Sequence, residues 1–61
     1  MIFNEFIQLL KDPIEFMLFD RNKKFIGIIH NKNEIDNKFL NIYIDYIICT
    51  PHLSIYLKID V

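Results

Sequence analysis

The chain has 61 residues, of which 52% are hydrophobic, and seven basic residues against eight acidic ones give a formal charge of −1. This length allows one domain at most, over 1–61, and the apolar content excludes a disordered chain. The weak, evenly spread charge argues against the basic stripe of a nucleic-acid binder and against the dense acidic surface of a DNA mimic.

The first predicted element is a short amphipathic helix in the segment NEFIQLLKDP. Asn4 is a suitable N-cap, and Pro13 prevents the helix from continuing. A helix of fewer than about ten residues does not hold itself in water, so its apolar face must pack on another element. The apolar residues at helical spacing are Phe3, Phe6, Ile7 and Leu10.

Two runs rich in Phe and Ile, near 14–19 and 24–30, flank a polar turn and predict a first hairpin. Its simplest register places Leu18 beside Phe25 on one face. Gly27 is the only glycine and lies in the middle of the second run. Its missing side chain is expected to make room for a large ring or for the helix, with a β-bulge as the alternative.

The clearest pattern is the alternation of apolar and polar residues near 39–48 and 53–60, which is typical of half-buried strands. A loop over 49–52 then pairs every inward residue with another inward residue, so that Tyr46 faces Ile55. The inward residues of this second predicted hairpin are Leu40, Ile42, Ile44, Tyr46, Ile48, Leu53, Ile55, Leu57 and Ile59.

Together these elements predict an α+β fold, in which a short N-terminal helix packs on a four-stranded antiparallel β-sheet. The order of the elements is αββββ, and the simplest sheet is a meander. The polar connection 31–38 is predicted to be a loop, with a loop containing one helical turn as the alternative, and its length would also allow a crossing.

One short helix cannot cover both faces of such a sheet, so the second face is expected to carry an exposed apolar and aromatic surface with the composition of a protein interface. The alternative is that the 31–38 connection or a coiled sheet buries this face. We predict a non-enzymatic protein-binding module that acts through this face or a strand edge and self-associates as a homodimer. The predicted interface residues are Met17, Phe19, Ile26, Ile28, Tyr43, Ile47 and Tyr56.

The composition also suggests an origin. The chain has no Ala and no Trp and is rich in Ile, Asn and Lys, a pattern typical of AT-rich coding in a low-GC bacterium or its phage. A narrower expectation follows, namely a phage or mobile-element protein that inhibits a host enzyme, including a defence enzyme.

Two alternative functions use other residues. Cys49 and His52 flank the loop of the second predicted hairpin, and this spacing suits a small Cys/His-dependent enzyme or half of a zinc site completed by a second chain. Tyr43 and Tyr56, together with Lys58, are candidates for stacking single-stranded nucleic acid. Neither signal is specific, so we predict no catalytic residue, no bound metal and no cofactor, with nucleic acid an unfavoured partner.

The remaining carboxylates show no converging pair, and their expected state is solvated surface. No apolar run reaches the length of about 18 residues that a membrane span needs. The N-terminal segment lacks the basic region of a secretory signal and contains Glu5, which predicts a cytoplasmic protein without a membrane partner. The carboxylates concerned are Glu15, Asp20, Asp45 and Asp60.

Overall fold

The helix α1 spans Phe3–Gln8 in the computed structural model, which describes residues 1–11 and 14–61. The prediction that Asn4 is the N-cap is wrong, because Asn4 lies inside the helix and Ile2 is the capping residue. Ile2 has no polar side chain, and its backbone N–H instead donates to Oε1 of Glu5 at 3.0 Å. The carboxylate of Glu5, in the first turn, thus accepts a hydrogen bond from the backbone N–H of the capping residue, which has no polar side chain of its own. The predicted stop at Pro13 lies outside the described residues.

Four strands form one sheet, with the order β2-β1-β4-β3. The prediction of a purely antiparallel meander is wrong, because β1 and β4 pair in parallel. The chain crosses from β2 to β3 through two short 3₁₀ turns, and this crossing leaves β4 inside the sheet. The strands are β1 (Phe16–Phe19), β2 (Phe25–Ile29), β3 (Ile44–Ile48) and β4 (Ser54–Leu57), and the turns are Lys32–Glu34 and Asn37–Phe39.

The central position of β4 has a clear physical basis. Ile55 and Leu57 are fully buried, and Ser54 is 7% exposed. A meander would leave this strand at an edge, with its backbone groups unpaired on one side. Between β1 and β3, the apolar strand is bonded along both of its edges.

Each antiparallel pair contains an irregularity that inserts one extra residue. In the first pair Leu18 faces Gly27 and Phe19 faces Phe25, so Ile26 is the extra residue. Because side chains alternate with period two, an inserted residue reverses which face the following residues occupy. The predicted pairing of Leu18 with Phe25 is therefore wrong.

The second irregularity lies at Asp45, between the pairs Ile44 with Leu57 and Tyr46 with Tyr56. The predicted pairing of Tyr46 with Ile55 is wrong by one residue, because Ile47 faces Ile55 instead. One residue of slip moves Ile47 to the inner face and Tyr46 to the outer face.

The core lies between the inner face of the sheet and a layer formed by α1 and the 3₁₀ turns. The ring of Phe3 meets that of Phe16 edge to face, with centroids 6.1 Å apart. Ile35, from the segment predicted as a loop, and Phe39, from the start of the third predicted strand, also belong to the buried cluster. The strand predicted from residue 39 is wrong at this end, because Phe39 lies in a 3₁₀ turn and β3 begins only at Ile44. The connection therefore packs on the inner side with the helix. The buried core residues are Phe3, Ile7, Phe16, Leu18, Ile29, Ile35, Phe39, Ile55 and Leu57.

Gly27 does not accommodate a ring or the helix, contrary to the prediction. Apart from Gly27 and its two chain neighbours, no heavy atom of the described residues lies within 4 Å of the place that a Cβ would take. A groove of about 390 Å³ opens there instead, and its lining includes Ile26, Ile35 and Phe39.

Asp20 is buried, which corrects its prediction as a solvated carboxylate. Its Oδ1 accepts hydrogen bonds from the backbone N–H groups of Asn22 and Lys24, each at 2.8 Å, and its Oδ2 accepts one from Val61 at 3.2 Å. Burial raises the pKa of the carboxyl, but these three donors and the charge of Lys24 outweigh burial, and the pKa is lowered. The hydrogen bonds of Asp20 thus hold Val61 against the β1–β2 turn.

No helix within 1–11 and 14–61 combines the length and the hydrophobicity that a membrane crossing requires.

Candidate functional site

Four aromatic side chains, one from each strand, cross the outer face of the sheet in a single row. Phe25 on β2 pairs with Phe19 on β1, Phe19 pairs with Tyr56 on β4, and Tyr56 pairs with Tyr46 on β3. We call these four residues the aromatic row. Its members lie side by side because strand partners on one face are close neighbours.

The rings of the aromatic row contact each other mainly face to face. The centroids of Phe19 and Tyr56 are 4.7 Å apart at an interplanar angle of 12°, and those of Tyr56 and Tyr46 are 4.3 Å apart at 11°. Phe25 meets Phe19 edge to face at 5.6 Å. Each aromatic pair adds about 0.5–1.5 kcal/mol beyond area burial. The stacking covers both faces of the Tyr56 ring.

A second row runs beside the first on the same face. Ile28 pairs with Met17, Met17 with Ser54, and Ser54 with Ile48. We call these four residues the aliphatic row, and the two rows together the outer face. Ile28 is 49% exposed and Ile48 is 41% exposed, whereas Ser54 is buried between its neighbours.

The outer face remains open to solvent although it is largely apolar. Phe25 is 52% exposed and Tyr46 is 37% exposed, and both lie on edge strands. The helix and the connection that contains the 3₁₀ turns pack their buried residues against the strand residues of the inner side. Large exposed apolar patches on small domains mark contact surfaces.

The two irregular pairings decide which residues reach this face. Ile26 and Ile47, both predicted for the interface, are half-buried and pack against the core. Phe25 and Tyr46 take their places in the aromatic row. Two local signals could have revealed the insertions, namely Gly27 inside one strand and the poor strand former Asp45 inside the other.

The other predicted interface residues separate into two groups. Tyr43 is exposed but lies beyond the irregularity at Asp45, where it bridges to Ile2. Its carbonyl accepts the backbone N–H of Lys58 at 2.9 Å, outside both rows. The residues that lie in the outer face are Met17, Phe19, Ile28 and Tyr56.

On the β1–β2 side, the two ends of the outer face carry opposite charges. Lys23 and Lys24 are exposed in the β1–β2 turn, next to the aromatic row. Glu15 is exposed at the far end, next to the aliphatic row, with one carboxylate oxygen 3.8 Å from Nε2 of His30. A groove of about 310 Å³ lies at this acidic end, lined by Glu15, Phe16, Met17, Ile28, Pro51, His52 and Leu53.

Cys49 and His52 are both exposed in the loop that joins β3 and β4. Over 1–11 and 14–61, no three side chains of His, Cys, Asp or Glu come together in a way that could hold a metal ion. A metal at this loop would therefore need ligands from another molecule.

Comparisons of the chain with protein-family models, with curated proteins and with solved structures gave no match.

Proposed function

We propose that this chain is a non-enzymatic protein-binding module and that the outer face is its contact surface. The observation that carries the proposal is the pair of exposed rows on a sheet whose other face packs against the helix. Aromatic residues and Met are enriched in the centres of protein interfaces, whereas a face of this composition is a liability when it stays in water.

The geometry of the rings favours a protein partner over single-stranded nucleic acid. Bases bind to aromatic side chains by stacking on free ring faces. Both faces of the Tyr56 ring are covered by Phe19 and Tyr46, and Tyr43 lies outside the row. What the row offers to a partner is mainly ring edges and aliphatic groups, which suit packing against protein side chains.

Placing a photo-crosslinking amino acid at one position at a time tests the proposal in cells that produce the protein. At Phe25 or Tyr46 we expect a covalent adduct, because both side chains are exposed in the outer face. Leu9 is the matched control, since it is 70% exposed and belongs to the helical side. Adducts are separated by mass and identified by peptide sequencing.

The same experiment separates the proposed function from the alternative at the β3–β4 loop. The variant with Cys49→Ser and His52→Ala is expected to form the Phe25 adduct in the same yield as the parent chain. Equal adducts at Phe25 and Leu9, or none at the outer face, would refute the outer face as the contact surface. Loss of the adduct in the loop variant would move the function to that loop.

The narrower expectation of a phage or mobile-element inhibitor stays a prediction from composition. The identity of the cross-linked protein is the measurement that tests it.

A further inference from the structure

We infer that the occupant of the outer face is a second copy of this chain, related by a two-fold axis that lies in the interface and runs across the strands. This inference rests on the proposed function and specifies the partner. Three features of the outer face support it, namely the match between its two rows, its charges and its size.

The two rows are complementary to each other under this symmetry. An axis between the rows places each strand over the same strand of the second copy, in the opposite direction. Each member of the aromatic row then lies over a smaller or more flexible member of the aliphatic row. Phe25 faces Ile28 of the second copy, Phe19 faces Met17, Tyr56 faces Ser54, and Tyr46 faces Ile48.

Aromatic rings thereby meet smaller or more flexible side chains along the whole interface. Sheets that pack face to face keep their strands aligned to within about 30°, so these contacts require no unusual geometry. The approach of Met17 to the Phe19 ring adds a favourable sulfur–aromatic contact. Every contact occurs twice, because the symmetry is two-fold.

The charges at the two ends of the outer face also match. The rotation places the β1–β2 turn, with Lys23 and Lys24, over the end that carries Glu15. A formal charge of −1 per chain produces little repulsion between copies at a distance. An axis parallel to the strands, through the middle of the sheet, would instead place each row over the same row of the second copy and would keep Lys23 and Lys24 away from Glu15.

The available area predicts a dimer of modest affinity. At about 150–250 Å² for each fully exposed aromatic ring, the exposed fractions of the two rows amount to roughly 400 Å² of apolar surface per copy. Since about 60% of an interface is apolar, two copies bury on the order of 1,300 Å² in total. This value lies at the low end of the range of about 1,200–2,000 Å² for specific complexes. We therefore expect a concentration-dependent dimer with a micromolar Kd.

Sedimentation equilibrium over about 1–500 µM at low salt tests this arrangement, because exposed charge pairs are strongest there. The parent chain should pass from monomer to dimer. Glu15→Lys and Lys23→Glu should each weaken the dimer about 5- to 10-fold, because each variant replaces two attractive pairs with repulsive ones. The double variant carries both changes and should recover most of the parent affinity.

Lys11→Glu is the matched control, since Lys11 is exposed, follows α1 in the chain and belongs to neither row, so its reversal should leave the Kd unchanged. Strong salt should remove the difference between the single variants and the parent chain. A monomer at every concentration would overturn the inference. Weakening without recovery in the double variant would overturn the two-fold arrangement.

The failure of this inference can be distinguished from failure of the proposed function by the mass of the Phe25 adduct. An adduct of twice the chain mass supports the second copy. An adduct with a different protein, from a chain that sediments as a monomer, overturns this inference and leaves the proposed function standing. A monomer that forms no adduct overturns both.

Discussion

Two neighbouring isoleucines on β3 offer a sharp test of the irregular pairing at Asp45. Ile47 faces Ile55 and packs against the core, whereas Ile48 is 41% exposed in the outer face. Regular alternation would give the opposite arrangement. The same substitution, Ile to Ala, at the two positions therefore removes the same atoms from different environments.

The expected cost differs severalfold. Replacing a fully buried Ile by Ala costs about 2–5 kcal/mol, and the half-buried Ile47 should fall near 2 kcal/mol. Ile48→Ala should cost about 0.5 kcal/mol, mainly through lower β-propensity. A chain of this length has a free energy of unfolding of about 3–9 kcal/mol, so Ile47→Ala would remove a large part of the stability.

Urea unfolding followed by circular dichroism measures the difference. With an m-value of about 1 kcal/mol per M, Ile47→Ala should lower the midpoint by about 2 M, and Ile48→Ala by about 0.5 M. The protein concentration should be kept well below the Kd of the dimer, so that self-association adds no stability. Equal shifts, or a larger shift for Ile48→Ala, would refute the inserted residue at Asp45.

Two further substitutions test the β1–β2 hairpin. Asp20→Asn should lower the urea midpoint at pH 7, because the neutral amide is a weaker acceptor for the three backbone donors. The pKa of Asp20 lies below its usual 3.8, so its contribution to stability is fully present above that pH and is lost as the pH falls through the folded pKa. A gap between variant and parent that stays constant or widens as the pH falls below 3.8 would contradict this. Gly27→Ala should raise the Tm by a few degrees, because the added Cβ meets open space. The unfolded chain also loses conformational freedom, which is worth about 0.4–1 kcal/mol. A lower Tm would show that the groove beside Gly27 is closed.

Local patterns in the chain were sufficient to predict the kinds of element. Helical spacing of Phe3 and Ile7 predicted a helix, and both residues are buried beneath it in the core. Two apolar runs around a polar turn predicted the first hairpin, and alternation predicted the second. Four strands form, although β3 begins at Ile44 rather than near residue 39. These signals are local because a helix turn and a strand pleat each repeat within a few residues.

The prediction of the candidate site from the sequence was incomplete, because a period-two pattern carries no mark of an inserted residue. Met17, Phe19 and Tyr56 belong to strands without an inserted residue, and Ile28 keeps its predicted face beyond the insertion at Ile26, so all four lie in the outer face. Ile26 and Ile47 do not lie in the outer face, and Phe25 and Tyr46 occupy their predicted places. The two insertions therefore place two aromatic side chains on the outer face instead of two isoleucines.

Composition and periodicity established a small α+β domain with one amphipathic helix, because these properties depend on residues close together in the chain. The strand order and the burial of Asp20 depend on contacts between distant residues, since β1 pairs with β4 and Asp20 bonds to Val61, 41 positions away. The aromatic row also depends on contacts between residues that are distant in the chain. Its four rings come from four strands, and packing of the core selects the registers that bring them together.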